Sequence, residues 1–200
     1  MDDLGKAEWG PQLESIMARE AEKCLCLSVL HRMAEQRYSR LNNVIQLPCI
    51  VLSTLAGTAS VGSTSLFGTS AVAPVIIGGI SISVGILSTL GSYFGFARRA
   101  EGHRGSYINY GKLHLFLMIE LSLPASQRMA ANDLLKTMRE QVDRLYETSP
   151  PVPPAVIKVF KDEHGSEPIS KPPETNGLDI VRVYQEEGTP KLKSININIK

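Results

Sequence analysis

LNNVIQLPCIVLSTLAGTASVGSTSLFGTSAVAPVIIGGISISVGILSTLGSYFGFA, residues 41–97, contains no Asp, Glu, Lys or Arg. An apolar helix of roughly 20 residues crosses a bilayer, so a stretch of this length holds two spans and a turn. The two apolar runs are residues 44–66 and 72–96. Between them GSTSLFGTS, residues 62–70, is rich in Gly and Ser and suits a chain reversal. Pro48 falls near the start of the first run, where a missing backbone hydrogen bond predicts a bend at the membrane surface. Pro74 falls in the first turn of the second, where proline is tolerated.

Small residues recur four apart inside both runs. Ser53 and Gly57 do so in the first, as do Ala56 and Ser60; in the second, Ser81, Gly85 and Thr89 form one stripe, Gly91 and Gly95 another. In lipid there is little hydrophobic drive between helices, so close backbone approach through small side chains supplies the packing. Ser53, Gly57, Ser81, Gly85, Gly91 and Gly95 are therefore the expected helix-packing residues of the hairpin. Two other readings stand beside this one: self-association through the same stripes, and the general frequency of Gly and Ser in membrane helices.

Outside the apolar block the pattern changes to heptads. Leu13, Met17, Glu20, Cys24, Leu27, His31, Ala34, Tyr38, Leu41 and Ile45 alternate spacings of four and three, with Glu20 the one residue out of place. Ala100, His103, Tyr107, Tyr110, His114, Leu117 and Leu121 form a second such seam after the block. Gly102, Gly105 and Gly111 interrupt it, each costing a helix about 1 kcal/mol relative to Ala, so tertiary packing must hold this segment. Ser122 and Pro124 mark an end and a new start, and a third helix over residues 124–147 carries the stripe Ala131, Leu135, Met138, Val142 and Leu145.

The predicted fold is thus an all-α membrane protein. A two-helix transmembrane hairpin extends into a cytosolic, coiled-coil-like helical bundle, and an extended, mostly irregular C-terminal tail follows. The divisions are 1–43, an N-terminal amphipathic helix; 44–96, the hairpin; 97–148, a helical stalk hairpin; and 149–200, a Pro-rich tail. From about Asp162 the tail is too poor in large apolar residues to offset its ordering entropy, and disorder is expected. Its last residues alternate, with Ile195, Ile197 and Ile199 on one face and Asn196 and Asn198 on the other, the pattern of a strand that needs an edge to join. Those isoleucines are the expected tail-docking residues.

Arginines set the expected orientation. Arg32, Arg37 and Arg40 precede the first span, Arg98, Arg99 and Arg104 follow the second, and the turn has no positive charge. The positive-inside rule places both termini in the cytosol. Tyr38 and Tyr93 lie at the expected cytosolic interface. The start, MDDLGKAEWG, lacks a signal-peptide pattern, so the first span is expected to direct its own insertion.

Function classes narrow by the same reading. The 200 residues carry a formal net charge of +1, which points to no nucleic-acid partner. Three cysteines, Cys24, Cys26 and Cys49, make no disulfide framework. His31, His103 and His114 lie on the seams and read as packed core residues; with His164 they show no metal spacing. Neither a phosphate loop nor a nucleophile elbow occurs. No enzymatic activity, cofactor or metal is expected. The expected partners are a lipid bilayer and other membrane or capsid proteins, with homo-oligomerisation open.

YSRLNNVIQLPCIVLSTLAGTAS (residues 38–60), YFGFARRAEGHR (93–104) and PPVPPAVIKVF (150–160) together resemble the SLATT superfamily of two-span membrane proteins, in particular the branch encoded by large eukaryotic DNA viruses. The resemblance covers residues 14–162 and leaves the tail outside. It implies a structural or minor capsid protein of a virion's internal membrane, tying bilayer to protein shell through stalk and tail. For the bacterial members it implies pore-forming effectors, and that is the alternative reading here. A water-filled pore needs a continuous polar stripe along one span, and Ser81, Ser83, Ser88, Thr89 and Ser92 do not form one.

Overall fold

The computed structural model describes residues 8–62, 68 and 71–177, and all regular structure among them is helical. Helix α1 runs Pro11–Val61, α2 Val72–Phe94 and α3 Phe96–Ser122. A 3-10 turn at Ala125–Gln127 leads to α4, Ala131–Thr148; α5 is Pro154–His164 and α6 the single turn Pro173–Asn176. The bulk of the expected turn, residues 63–67 and 69–70, and the tail residues Ile195, Ile197 and Ile199 lie outside the described residues.

Helix α1 has 51 residues, roughly 75 Å at 1.5 Å per residue. It starts with Pro11 at its first turn, where the missing N–H has no helical partner to lose, and Glu14 sits beside the positive end of its dipole. Pro48 lies within α1 and does not end it. An interior proline costs about 3 kcal/mol; contacts with α2, such as that of Ile45 with Gly91 one turn earlier, help to offset it.

The second half of the molecule returns antiparallel along α1. Ile45 meets Gly91, Tyr38 meets Phe96, His31 meets His103, Ser28 meets Tyr107 and Ala21 meets His114. One register therefore holds from the apolar hairpin through the stalk. Between α2 and α3 a single residue departs from helical geometry. Gly95 has φ 60° and ψ 38°, yet its N–H still reaches Gly91 O and its carbonyl still accepts from Arg99 N. Only glycine adopts this backbone without a Cβ penalty. Gly95 is thus a joint: nothing lies within 4 Å of where its Cβ would be. Close packing, the role its spacing suggested, belongs to Gly91.

The two heptad seams face each other. Met17, Cys24, Leu27, His31 and Ala34 of α1 are buried, as are His103, Tyr110 and Leu117 of α3. Gly111 lets α1 approach: a Cβ there would lie 3.3 Å from Ser28 Oγ, whose hydroxyl donates to Tyr107 O at 2.9 Å. Helix α4 folds back against this pair and buries Ala131, Leu134, Met138 and Leu145. Leu134 is fully buried where the sequence stripe placed Leu135, which is only partly so.

Helix α1 buries a second face as well, and this changes the account of the tail. Cys26 and Leu30 lie off the seam yet are 1% and 0% exposed. The returning chain helps to cover that face. After the prolines, Val156 and Phe160 of α5 enter the same core cluster. Beyond α5, Ser170 N donates to Glu22 Oε2 at 2.8 Å, Cys26 Sγ approaches Ser170 O at 3.7 Å, and Pro172 and Thr175 are buried. Helix α5 thus runs on to His164 and residues 169–175 are seated on the stalk, where disorder from Asp162 was expected. Pairwise contacts along a prepared face replace the large apolar residues that this segment lacks.

Candidate functional site: the apolar hairpin and its junction with the stalk

Two helical stretches are long and apolar enough to cross a membrane: one in α1, the other in α2 continuing into α3. Their apolar side chains point away from the protein. Val44 is 70% exposed, Val75 73% and Val61 91%, with Leu47, Ile50, Leu55, Ile82 and Ile86 also exposed. A core helix of a soluble protein has the same composition but is buried by its own chain. Here exposed apolar side chains run along the described parts of both helices, a surface of the kind that marks a binding or membrane face.

Five hydroxyls of this surface are satisfied within their own helices. Thr54 donates to Ile50 O, Thr58 to Thr54 O, Ser81 to Ile77 O, Ser83 to Gly79 O and Thr89 to Gly85 O, at 2.8–2.9 Å. Each bond returns to the carbonyl four residues earlier, the arrangement that lets a hydroxyl sit in a medium with no water.

The small residues separate into three groups. Gly91 is buried at the contact between the helices, and a Cβ there would fall 3.2 Å from Ile45 Cγ2 and 3.6 Å from Gln46 Nε2. Ser53, Gly57 and Ser81 line a crevice of about 330 Å³ between α1 and α2, together with Ala56, Ser60, Ile77 and Val84. Gly85 is exposed, with nothing within 4 Å of its Cβ position, and Gly95 is the joint described above. The helices are thus in closest contact at the stalk end and leave room toward the turn.

At the junction the stalk closes around stacked rings. His31 Nδ1 and His103 Nδ1 are 2.8 Å apart, and both side chains are buried. Tyr110 stacks on His31 at 5.6 Å and Tyr38 on His103 at 5.5 Å. One imidazole donates to the other, so the pair is built for neutral rings. Burial, then the neighbouring His103, pushes the His31 pKa down to about 4. Burial lowers His103 as well. Both histidines were placed on seams by their spacing; their pairing across 72 residues was not legible there. Tyr38, expected as an interfacial anchor, turns inward onto His103 and Phe96, whereas Tyr93 is 82% exposed.

The far end of the stalk carries a clamp that no sequence pattern marked. Arg128 donates to Leu123 O and Leu121 O, covering carbonyls at the end of α3, and pairs with Glu14 of α1 at 2.6 Å. Its guanidinium lies 4.9 Å from the ring centre of Trp9, and Trp9 Nε1 donates to Met129 O. Arginine supplies enough donors for two helix ends at once.

No group of three or more His, Cys, Asp or Glu side chains able to hold a metal occurs among the described residues. His114 Nδ1 bonds Ala21 O in the stalk, and His164 pairs with Glu167 at 2.8 Å. Burial raises the Cys24 thiol to about 12 and the Cys26 thiol to about 11, which keeps both protonated and unreactive. Comparison of the chain with protein-family models, with curated proteins and with solved structures finds no match.

Proposed function

We propose that the protein is a membrane-anchored structural protein, with α1 and α2 crossing a bilayer as a hairpin and the stalk standing on its cytosolic face. The observation that carries the reading is the continuity of α1. A single helix passes from the exposed apolar surface into the closed core of the stalk, in one register with α2 and α3. A bilayer supplies the cover that the apolar surface needs. The arginine asymmetry puts both termini on the cytosolic side. Such a rigid stalk suits a role in holding partner proteins at a fixed distance from the membrane. The resemblance to the viral branch of the two-span family makes the internal membrane of a large DNA virus the proposed setting. The partner is then the protein shell, with docking by the tail isoleucines.

The pore-forming alternative requires hydroxyls that face water. Thr54, Thr58, Ser81, Ser83 and Thr89 instead donate to carbonyls of their own helices, and with no continuous polar stripe along one span this supports the structural reading. Two measurements test the proposal. In sealed vesicles a cysteine at Ser15 should label from the cytosolic side and one at Ser65 only from the other. Dye-loaded vesicles should stay sealed as protein is added. Labelling of Ser65→Cys from the cytosolic side overturns the topology, and dye release in proportion to protein favours the pore.

A further inference from the structure

The junction between hairpin and stalk carries an uncompensated band of guanidinium groups. From residue 36 to residue 100 the only charged side chains are Arg37, Arg40, Arg98 and Arg99. The two pairs lie far apart in sequence, and the fold brings them within about one helical turn of the same level. Tyr38 sits between Arg37 and Arg40 on α1, and its ring meets Phe96 and His103, the two residues that bracket Arg98 and Arg99 on α3. Arg99 itself lies over the Tyr38 ring at 5.8 Å.

All four side chains are exposed, and no carboxylate lies within ion-pair distance of any of them among the described residues. The nearest acids in sequence, Glu35 and Glu101, fall on the stalk side of the band, and Glu101 is already 3.8 Å from Arg104. Among the described residues the band is therefore four positive charges without an ion-pair partner.

Arg40 and Arg98 lie at the depth of one layer of the bilayer, and Arg37 and Arg99 lie just outside it. Arg40 is four residues from Val44, the first strongly exposed apolar residue of α1, and Arg98 is four residues from Phe94 at the end of α2. Four residues of helix rise about 6 Å. The headgroup layer on each side of the hydrocarbon core is roughly 5–7 Å thick. The charges are also all guanidinium, the side chain whose planar fork matches phosphate oxygens two at a time. A role in orientation alone would be met equally by lysine.

We infer that Arg37, Arg40, Arg98 and Arg99 form a collar that binds anionic phospholipid headgroups and enriches them around the hairpin. This inference rests on the bilayer-spanning reading above. Zwitterionic lipid offers a phosphate too, but its ammonium group repels the collar, so net negative headgroups are selected. The collar fixes the depth of the stalk relative to the surface, because the four arginines lie along the chain between the apolar spans and the stalk core, with Arg99 resting on the Tyr38 ring.

The test uses the full chain reconstituted in vesicles of phosphatidylcholine with a minor fraction of phosphatidylglycerol. An alkaline carbonate wash is applied first. Spin-labelled analogues of both lipids then report the relative association constant at the protein surface. The expected result is retention through the wash, with a preference for phosphatidylglycerol of roughly threefold to fivefold that falls as salt rises. The variant Arg37→Gln/Arg40→Gln/Arg98→Gln should lose most of that preference. It keeps Arg99 on Tyr38, and its helicity checks that the stalk is intact. Retention with equal association of the two lipids, or a folded variant with undiminished preference, overturns the collar alone. Release by carbonate overturns the spanning reading and the collar with it.

Discussion

Acidification should weaken the stalk through the His31–His103 pair, and the magnitude follows from where the pair sits. In an unfolded chain each imidazole takes up a proton near pH 6.5. In the folded stalk His31 resists protonation until about pH 4, because it is buried and faces a second imidazole. Folding thus favours the neutral ring. The stability this represents is fully present above pH 6.5, and it is lost as pH falls toward 4, since the unfolded chain then binds a proton that the folded one refuses. Each pH unit in that window costs about 1.4 kcal/mol, so His31 alone accounts for about 3 kcal/mol. His103, lowered by the same burial, acts in the same direction. No carboxylate contributes to either shift, and the rings on both sides are Tyr38 and Tyr110, with Arg99 over Tyr38 and Tyr146 at the edge of Tyr110. The stack therefore holds no acidic group to offset the burial penalty on a protonated ring. A loss of about 3 kcal/mol lowers the melting temperature of a chain this size by roughly 6–12 °C. Thermal unfolding followed by circular dichroism in detergent, from about pH 7.5 to about pH 4, measures it. The reference is the double variant His31→Leu/His103→Leu, which retains every carboxylate and His164. The wild type should lose several degrees more than the variant across the window. Parallel losses in the two proteins would refute the assignment of acid sensitivity to this pair.

Three further outcomes follow from other contacts. Arg128→Ala removes the ion pair to Glu14, two carbonyl bonds and the cover on Trp9, and should cost about 2 kcal/mol; Trp9, the single tryptophan, should report it as a red-shifted emission. Phe160→Ala opens a cavity beneath a side chain that is 2% exposed and should lower stability by about 3–5 kcal/mol, against no change if the returning tail is a loose appendage. Gly91→Leu forces a side chain into the space of Ile45 Cγ2 and should cost about 1–3 kcal/mol, measured as thermal stability in nanodiscs, whereas Gly85→Leu should cost little because nothing stands within 4 Å.

The sequence alone determined the class and the axis of this protein. A 57-residue block without charge (residues 41–97) cannot be mistaken for a loop, and seams with heptad spacing on either side of it require a helix on each side. These signals are local: they depend on the period of one helix and on the length of one apolar run. Spacing also put His31, His103 and Leu117 on buried faces, because a face repeats regularly along a helix. What spacing cannot give is the partner across the seam. The meeting of two Nδ1 atoms 2.8 Å apart, the alignment of Arg37 with Arg98, and the reach of Arg128 to Glu14 all follow from the register between segments distant in sequence. Small residues show the limit most clearly. Gly91 and Gly95 are four apart and look alike in the sequence, yet one is pressed against Ile45 and the other carries a left-handed backbone with open space around it. The tail shows the same limit. Its composition is that of a chain unable to order itself, and residues 169–175 are nonetheless seated because α1 offers a second face with Glu22 and Cys26 in place. Composition sets what a segment can bury alone; only the tertiary structure decides what surface is brought to it.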